Sequence, residues 1–149
     1  EIKEDINLQY GKGQILKEGS KDGNNAGGNV AIIAVGSMVE ETYKAIDMLE
    51  KENVHPAFVN PVFIKPMDTE LIKRVAENHK HIIVVEEGIK KGGFGESVET
   101  FILESGIDAD VQVMAIDDRF VEQGNVALLR EEIGISYKNI YEKVMELTR

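Results

Sequence analysis

Val30-Ala31-Ile32-Ile33-Ala34-Val35 is followed at once by Gly36-Ser37, and then by a stretch in which Val39, Tyr43, Ile46 and Leu49 recur every three or four residues. A continuous apolar run rich in β-branched residues has no polar face to offer to water. It predicts a strand covered on both sides, as in a parallel sheet. The glycine turns the chain, and the helical period of residues 38–52 predicts a helix with one apolar stripe.

The unit repeats on the way to the C-terminus. Ala57-Phe58-Val59-Asn60-Pro61-Val62 reads as a strand, and Asp68 as the N-cap of a helix carrying Leu71, Ile72 and Val75. His81-Ile82-Ile83-Val84-Val85-Glu86 is a third core strand, residues 94–103 a third helix, and Val111-Gln112-Val113-Met114-Ala115-Ile116 a fourth strand. Residues 127–133 and 137–147 are expected to close the chain as helices. Towards the N-terminus, Gln14-Ile15-Leu16-Lys17 is expected to form a short edge strand. Ser20-Lys21-Asp22-Gly23-Asn24-Asn25-Ala26-Gly27-Gly28 has turn formers and little to bury, so a mobile surface loop is expected there. Residues 1–13 read as a linker or lead-in and 14–149 as one domain. Strands alternating with helices imply right-handed crossovers, hence an α/β fold of three layers, α/β/α.

Composition sets the bounds. The 149 residues suit a single core, and 42% apolar with 30% charged residues is ordinary for a globular chain. A net charge of -10 repels phosphate backbones and anionic membranes, so neither nucleic acid nor membrane is an expected partner. With no cysteine, thiolate nucleophiles and disulfides are excluded and a reducing cytoplasm is permitted. No apolar run is long enough to span a bilayer, and no charged-then-apolar leader opens the chain. The start at Glu1 in place of Met is what a fragment or trimmed chain would show.

Chemistry is sought at the carboxyl ends of the strands, where open α/β sheets gather ligands. Gly36-Ser37 can present backbone N–H groups to a phosphate, but Ser37 as a helix N-cap explains it as well. Lys90-Lys91-Gly92-Gly93-Phe94-Gly95-Glu96-Ser97 places lysines and glycines ahead of a helix without P-loop or dinucleotide spacing. Close backbone packing accounts for those glycines. Glu86 and Glu87 are adjacent on a strand, so they point to opposite faces and do not converge on one substrate. Asp117-Asp118-Arg119 can bind Mg²⁺ or form an ion pair within its loop, the latter being preferred. His55, His79 and His81 lack the spacing of a zinc set and read as solvated. A phospho-receiver needs an acidic cluster after its first core strand, where this chain has Gly36-Ser37. On the residues alone the chain is an α/β domain with no visible active site.

Several segments in fixed order carry a resemblance. Gly11-Lys12-Gly13-Gln14-Ile15-Leu16-Lys17-Glu18-Gly19, Asn60-Pro61-Val62-Phe63-Ile64-Lys65-Pro66-Met67-Asp68, Val85-Glu86-Glu87-Gly88 with Gly92-Gly93-Phe94-Gly95, and Asp118-Arg119-Phe120-Val121-Glu122-Gln123-Gly124 stand in that order. Together they resemble the C-terminal domain of the transketolase family of thiamine-diphosphate enzymes, within it the 1-deoxy-D-xylulose 5-phosphate synthases. The insertion at residues 20–28 departs from the pattern, as does Gln123, near which many relatives have histidine.

The resemblance implies a mostly parallel five-stranded sheet with one short antiparallel edge strand. It also implies a homodimer in which two upstream domains of the same chain bind thiamine diphosphate and Mg²⁺ and carry the catalytic residues. In such an enzyme pyruvate is decarboxylated and its two-carbon unit joins glyceraldehyde 3-phosphate, supplying isoprenoid and thiamine synthesis. No catalytic, cofactor-binding or metal-binding residue is carried over to this chain, which alone is expected to bind no cofactor and catalyse nothing. Its implied role is architectural, with Gly92, Gly93, Phe94, Gly95, Asp118, Arg119 and Phe120 as interface candidates. The rivals are the matching domain of a transketolase or of a 2-oxoacid dehydrogenase β subunit, and a free-standing α/β binding module.

Overall fold

The computed structural model describes residues 10–20, 26–116 and 134–148. In chain order these form β1 (Gln14–Lys17), β2 (Val30–Ala34), α1 (Met38–Lys51), β3 (Ala57–Asn60), α2 (Thr69–Asn78), β4 (His81–Ile89), α3 (Phe94–Glu104), β5 (Asp110–Ile116) and α4 (Tyr137–Thr148). The expected helix at 127–133 lies outside the described residues, as do residues 21–25 of the expected loop and the segment holding Asp118, Arg119 and Phe120.

The sheet has the order β1-β3-β2-β4-β5. β1 runs antiparallel to β3, and every other pairing is parallel. From β2 the chain crosses through α1 to β3 on one side, then through α2 to β4 on the other, so the winding direction reverses between β2 and β4.

The apolar run that opened the sequence reading is the centre of the molecule: all five residues of β2 are inaccessible to solvent. Its alternation divides the core. Val30, Ile32 and Ala34, with Phe58, Ile83 and Val85, pack under α1 and α4. Ala31 and Ile33, with Val59, Ile82 and Val84, pack under α2 and α3. Full burial of an Ile or Val side chain stabilises by roughly 1.5–3 kcal/mol, so a strand buried on both faces anchors both layers at once. At the start of α4, Glu41 of α1 accepts the backbone N–H of Tyr137 at 2.9 Å, tying the last helix to the first.

Three elements differ from the sequence reading. β3 ends at Asn60 and not at Val62, because Val62 takes φ +63°, which no strand accommodates. β4 continues beyond Glu86 to Ile89, where it pairs with Ile116 of β5 across an irregularity that begins after Val85. Such a bulge lets one strand carry extra residues opposite its partner, which periodicity does not reveal. The segment expected as a loop over residues 20–28 is tied at both described ends. The Ser20 N–H bonds to the His55 carbonyl at 3.0 Å, and the His55 N–H bonds to the Ala26 carbonyl at 2.8 Å. Gly27 is buried at φ +89°, with the Val54 side chain and the His55 backbone within 3 Å of where a Cβ would stand.

Candidate functional site at the carboxyl edge of the sheet

The reversal between β2 and β4 opens the place where α/β folds of this kind hold ligands, beyond the carboxyl ends of the strands. Here that place is bridged by the protein's own groups. Ser37, at the start of α1, donates its hydroxyl hydrogen to the Glu87 carboxylate across the gap. Ser37 makes no side-chain cap to its own helix, so its expected N-cap role is replaced by this bridge.

Glu86 turns to the other face and is buried at 6% exposure. Its carboxylate accepts the backbone N–H of Phe94 at 3.2 Å and that of Gly95, the first two residues of α3. A carboxylate at a helix N-terminus satisfies orphan donors and faces the positive end of the helix dipole, which is its stabilisation here. Adjacent strand residues therefore part as alternation predicts: Glu86 serves α3 and Glu87 serves the start of α1.

The glycine turn is built around this carboxylate. Gly92 has φ +73°, and its N–H donates to Glu96 at 2.7 Å. A Cβ on Gly95 would stand 2.9 Å from Val113 Cγ2 and 3.0 Å from the Glu86 carboxylate, so the helix approaches β5 too closely for any other residue. Phe94 is 3% exposed and belongs to the core under α2 and α3. Of the interface candidates, Phe94 and Gly95 are thus directed into the domain itself, whereas Gly92 is exposed and Gly93 half-buried. Asp118, Arg119 and Phe120 lie outside the described residues.

Beside this turn, the loop after β3 has its own framework. Asp68 caps α2 by accepting the Leu71 N–H at 3.2 Å, as its position predicts, and its other oxygen accepts the Gly13 N–H at 2.9 Å. Gly13 has no room for a side chain, since a Cβ would stand 2.7 Å from Leu71 and 3.0 Å from the Asn60 carbonyl oxygen. The described part of the lead-in is therefore fastened to the start of α2. Val62 holds φ +63°, a left-handed conformation that a β-branched residue rarely adopts, with its N–H on the Asn60 side chain at 2.9 Å. The sequence reading missed this loop, although two apolar residues, Phe63 and Ile64, between Pro61 and Pro66 were a signal for it.

The histidines stay apart. His55 meets Asn53 at 3.1 Å, and His81 meets Asp110 at 3.4 Å. His79 is buried, with Nδ1 2.8 Å from the Val75 carbonyl oxygen, which corrects the expectation that it is solvated. Among the described residues no group of three or more His, Asp or Glu side chains is placed to hold a metal ion. A diphosphate with Mg²⁺ needs oxygen ligands at the metal. Glu86 is committed to backbone amides and Glu87 to Ser37, so neither is set out as an oxygen ligand for such a metal. No described helix is long and apolar enough to cross a membrane.

Comparison with known proteins accords with this architecture. The family model for the C-terminal domain of transketolase matches residues 15–140. The 1-deoxy-D-xylulose-5-phosphate synthase of Dehalococcoides mccartyi is 37% identical over 143 residues, which are 95% of this chain and 21% of the relative. That of Heliobacterium modesticaldum is 36% identical over 94% of this chain and 20% of its own length. The chain thus spans about a fifth of the length of these curated relatives. Among solved structures, a split-gene transketolase described as an inactive β4 tetramer superposes with a TM-score of 0.81 at 26% identity, covering 97% of this chain and 45% of that one. A five-stranded, mostly parallel sheet between two helix layers, wound in this order and matched over most of its length, places the chain in the transketolase C-terminal domain family.

Proposed function

We propose that the chain is the C-terminal structural and dimerisation domain of a thiamine-diphosphate-dependent synthase that condenses pyruvate with glyceraldehyde 3-phosphate. The observation that carries this reading is the match of nearly the whole chain to one fifth of 1-deoxy-D-xylulose-5-phosphate synthases. The internal use of Glu86 and Glu87 supports a domain that leaves the chemistry to its neighbours. When bound to those neighbours, the cofactor supplies the carbanion chemistry, with Mg²⁺ holding its diphosphate. This domain's part is to brace the catalytic domains in the cytoplasm and to pair subunits. Gly92 and Gly93, with Asp118, Arg119 and Phe120, are the proposed contacts.

The test is an assay of the full-length gene product with thiamine diphosphate, Mg²⁺, pyruvate and glyceraldehyde 3-phosphate, beside calorimetric titration of the 149-residue chain with cofactor and metal. Condensation by the full-length protein and no saturable binding by the chain are expected. Micromolar binding and turnover by the chain alone would overturn the reading. The likeness to the split-gene transketolase favours a second reading, the matching domain of a transketolase, which predicts that the full-length protein leaves pyruvate unconsumed.

A further inference from the structure

The described residues carry an aromatic and apolar face that the core uses only in part, Met67 and Phe101 being half-buried against it. Tyr10 is 80% exposed and Ile64 48% exposed. The rings of Tyr10 and Phe63 meet edge to face, 5.7 Å between centroids. Next along the loop, Met67 lines an open groove with Gly92, Gly93 and Phe101. Charged groups border the face: Lys65 is exposed, and Lys12 pairs with Glu70 at 3.3 Å. An apolar, aromatic and Met-containing centre with a charged rim is the composition of a protein interface.

Resting on the reading above, we propose that this face receives the catalytic portion that precedes the domain in the same polypeptide. Two observations select that occupant over a second copy. In the synthase relatives about four fifths of the chain lies outside the matched region, and the family model that matches is a C-terminal domain. The polypeptide enters the domain at this face, because the Gly13 N–H is held by Asp68, Lys12 by Glu70 and Tyr10 by Phe63. A preceding portion is therefore tethered to the patch through residues 1–9, and a short flexible tether gives an effective concentration on the order of millimolar, far above that of a second copy in dilute solution. Val62 at φ +63° redirects the chain just before Phe63 and Ile64, which sets the outward course of the loop.

Amide hydrogen exchange of the 149-residue chain, compared with that of the full-length gene product, tests the proposal. Phe63, Ile64 and Met67 are expected to exchange at least ten-fold more slowly in the full-length protein, with Glu142 and Met145 on α4 unchanged. Ile64→Asp in the full-length protein should abolish the difference. Equal exchange in both proteins overturns the proposal. Protection that appears in the chain alone and grows with its concentration also overturns it, assigning the face to a second copy. An activity assay on the same sample separates the two claims. Protection without condensation leaves the docking face standing and removes the proposed reaction; condensation without protection does the reverse.

Discussion

The two loops at the carboxyl edge of the sheet solve opposite problems. The turn between β4 and α3 folds inward: Glu86 is buried, two backbone amides bind its carboxylate, and Phe94 and Gly95 fill the space under β5. The loop between β3 and α2 turns outward, with Val62 in a left-handed conformation and Ile64 half exposed. One region contributes to folding through satisfied hydrogen bonds and close packing; the other leaves apolar surface exposed. A glycine-rich motif at a strand end is therefore not exposed throughout, since its helix-side residues Phe94 and Gly95 pack inward. Its neighbour, without a single glycine between Pro61 and Asp68, presents more apolar surface.

Substitutions can break or sharpen this contrast. The largest effect is expected at Glu86, where Glu86→Leu leaves the Phe94 and Gly95 N–H groups buried without an acceptor. An unsatisfied buried group costs about 1–3 kcal/mol, so a loss of about 2–4 kcal/mol is expected in urea unfolding of the 149-residue chain. Glu86→Gln, which keeps one acceptor oxygen, should lose markedly less. Equal stability of Glu86→Leu and the parent would show that the carboxylate is not what holds α3.

Next comes Gly95→Val, which forces side-chain atoms against Val113 and the Glu86 carboxylate. Overpacking of this kind costs about 1–3 kcal/mol and should lower the thermal midpoint by several degrees. On the outward loop the sign reverses. Val62→Gly relieves a left-handed β-branched residue but loosens the unfolded chain, so a net gain of up to about 1 kcal/mol is expected. A clear loss on denaturant titration would mean that the half-buried Val62 side chain outweighs its backbone strain. The last effect is at Ile64: Ile64→Asp in the isolated chain should cost no more than about 1 kcal/mol, because about half of its side chain stays in solvent on folding. A larger loss would place Ile64 in the domain's own packing and erase the contrast.

Legibility in the sequence followed the range of the interactions. The strand at residues 30–34 and the helix at 38–51 were readable because burial on two faces and on one stripe leave different periods in adjacent residues. Asp68 was readable as a cap because its partner, Leu71, is three residues away. Its second bond, to Gly13, was not, since the partners are 55 residues apart and meet only once β1 lies beside β3. The continuation of β4 to Ile89 was missed because a bulge interrupts the period that would have revealed it.

By itself the sequence determined the α/β class, the buried central strand, most element positions and the opposite facing of Glu86 and Glu87, all consequences of local pattern and chain stereochemistry. The tertiary structure alone decided the strand order and register, and which helix each glutamate serves. It also decided that Phe94 and Gly95 face inward while Phe63 and Ile64 form an outward edge. Those outcomes depend on which distant segments share the limited space at the sheet's carboxyl edge. Close packing and the need to satisfy every buried N–H allow few arrangements there, and no run of neighbouring residues records which one is adopted.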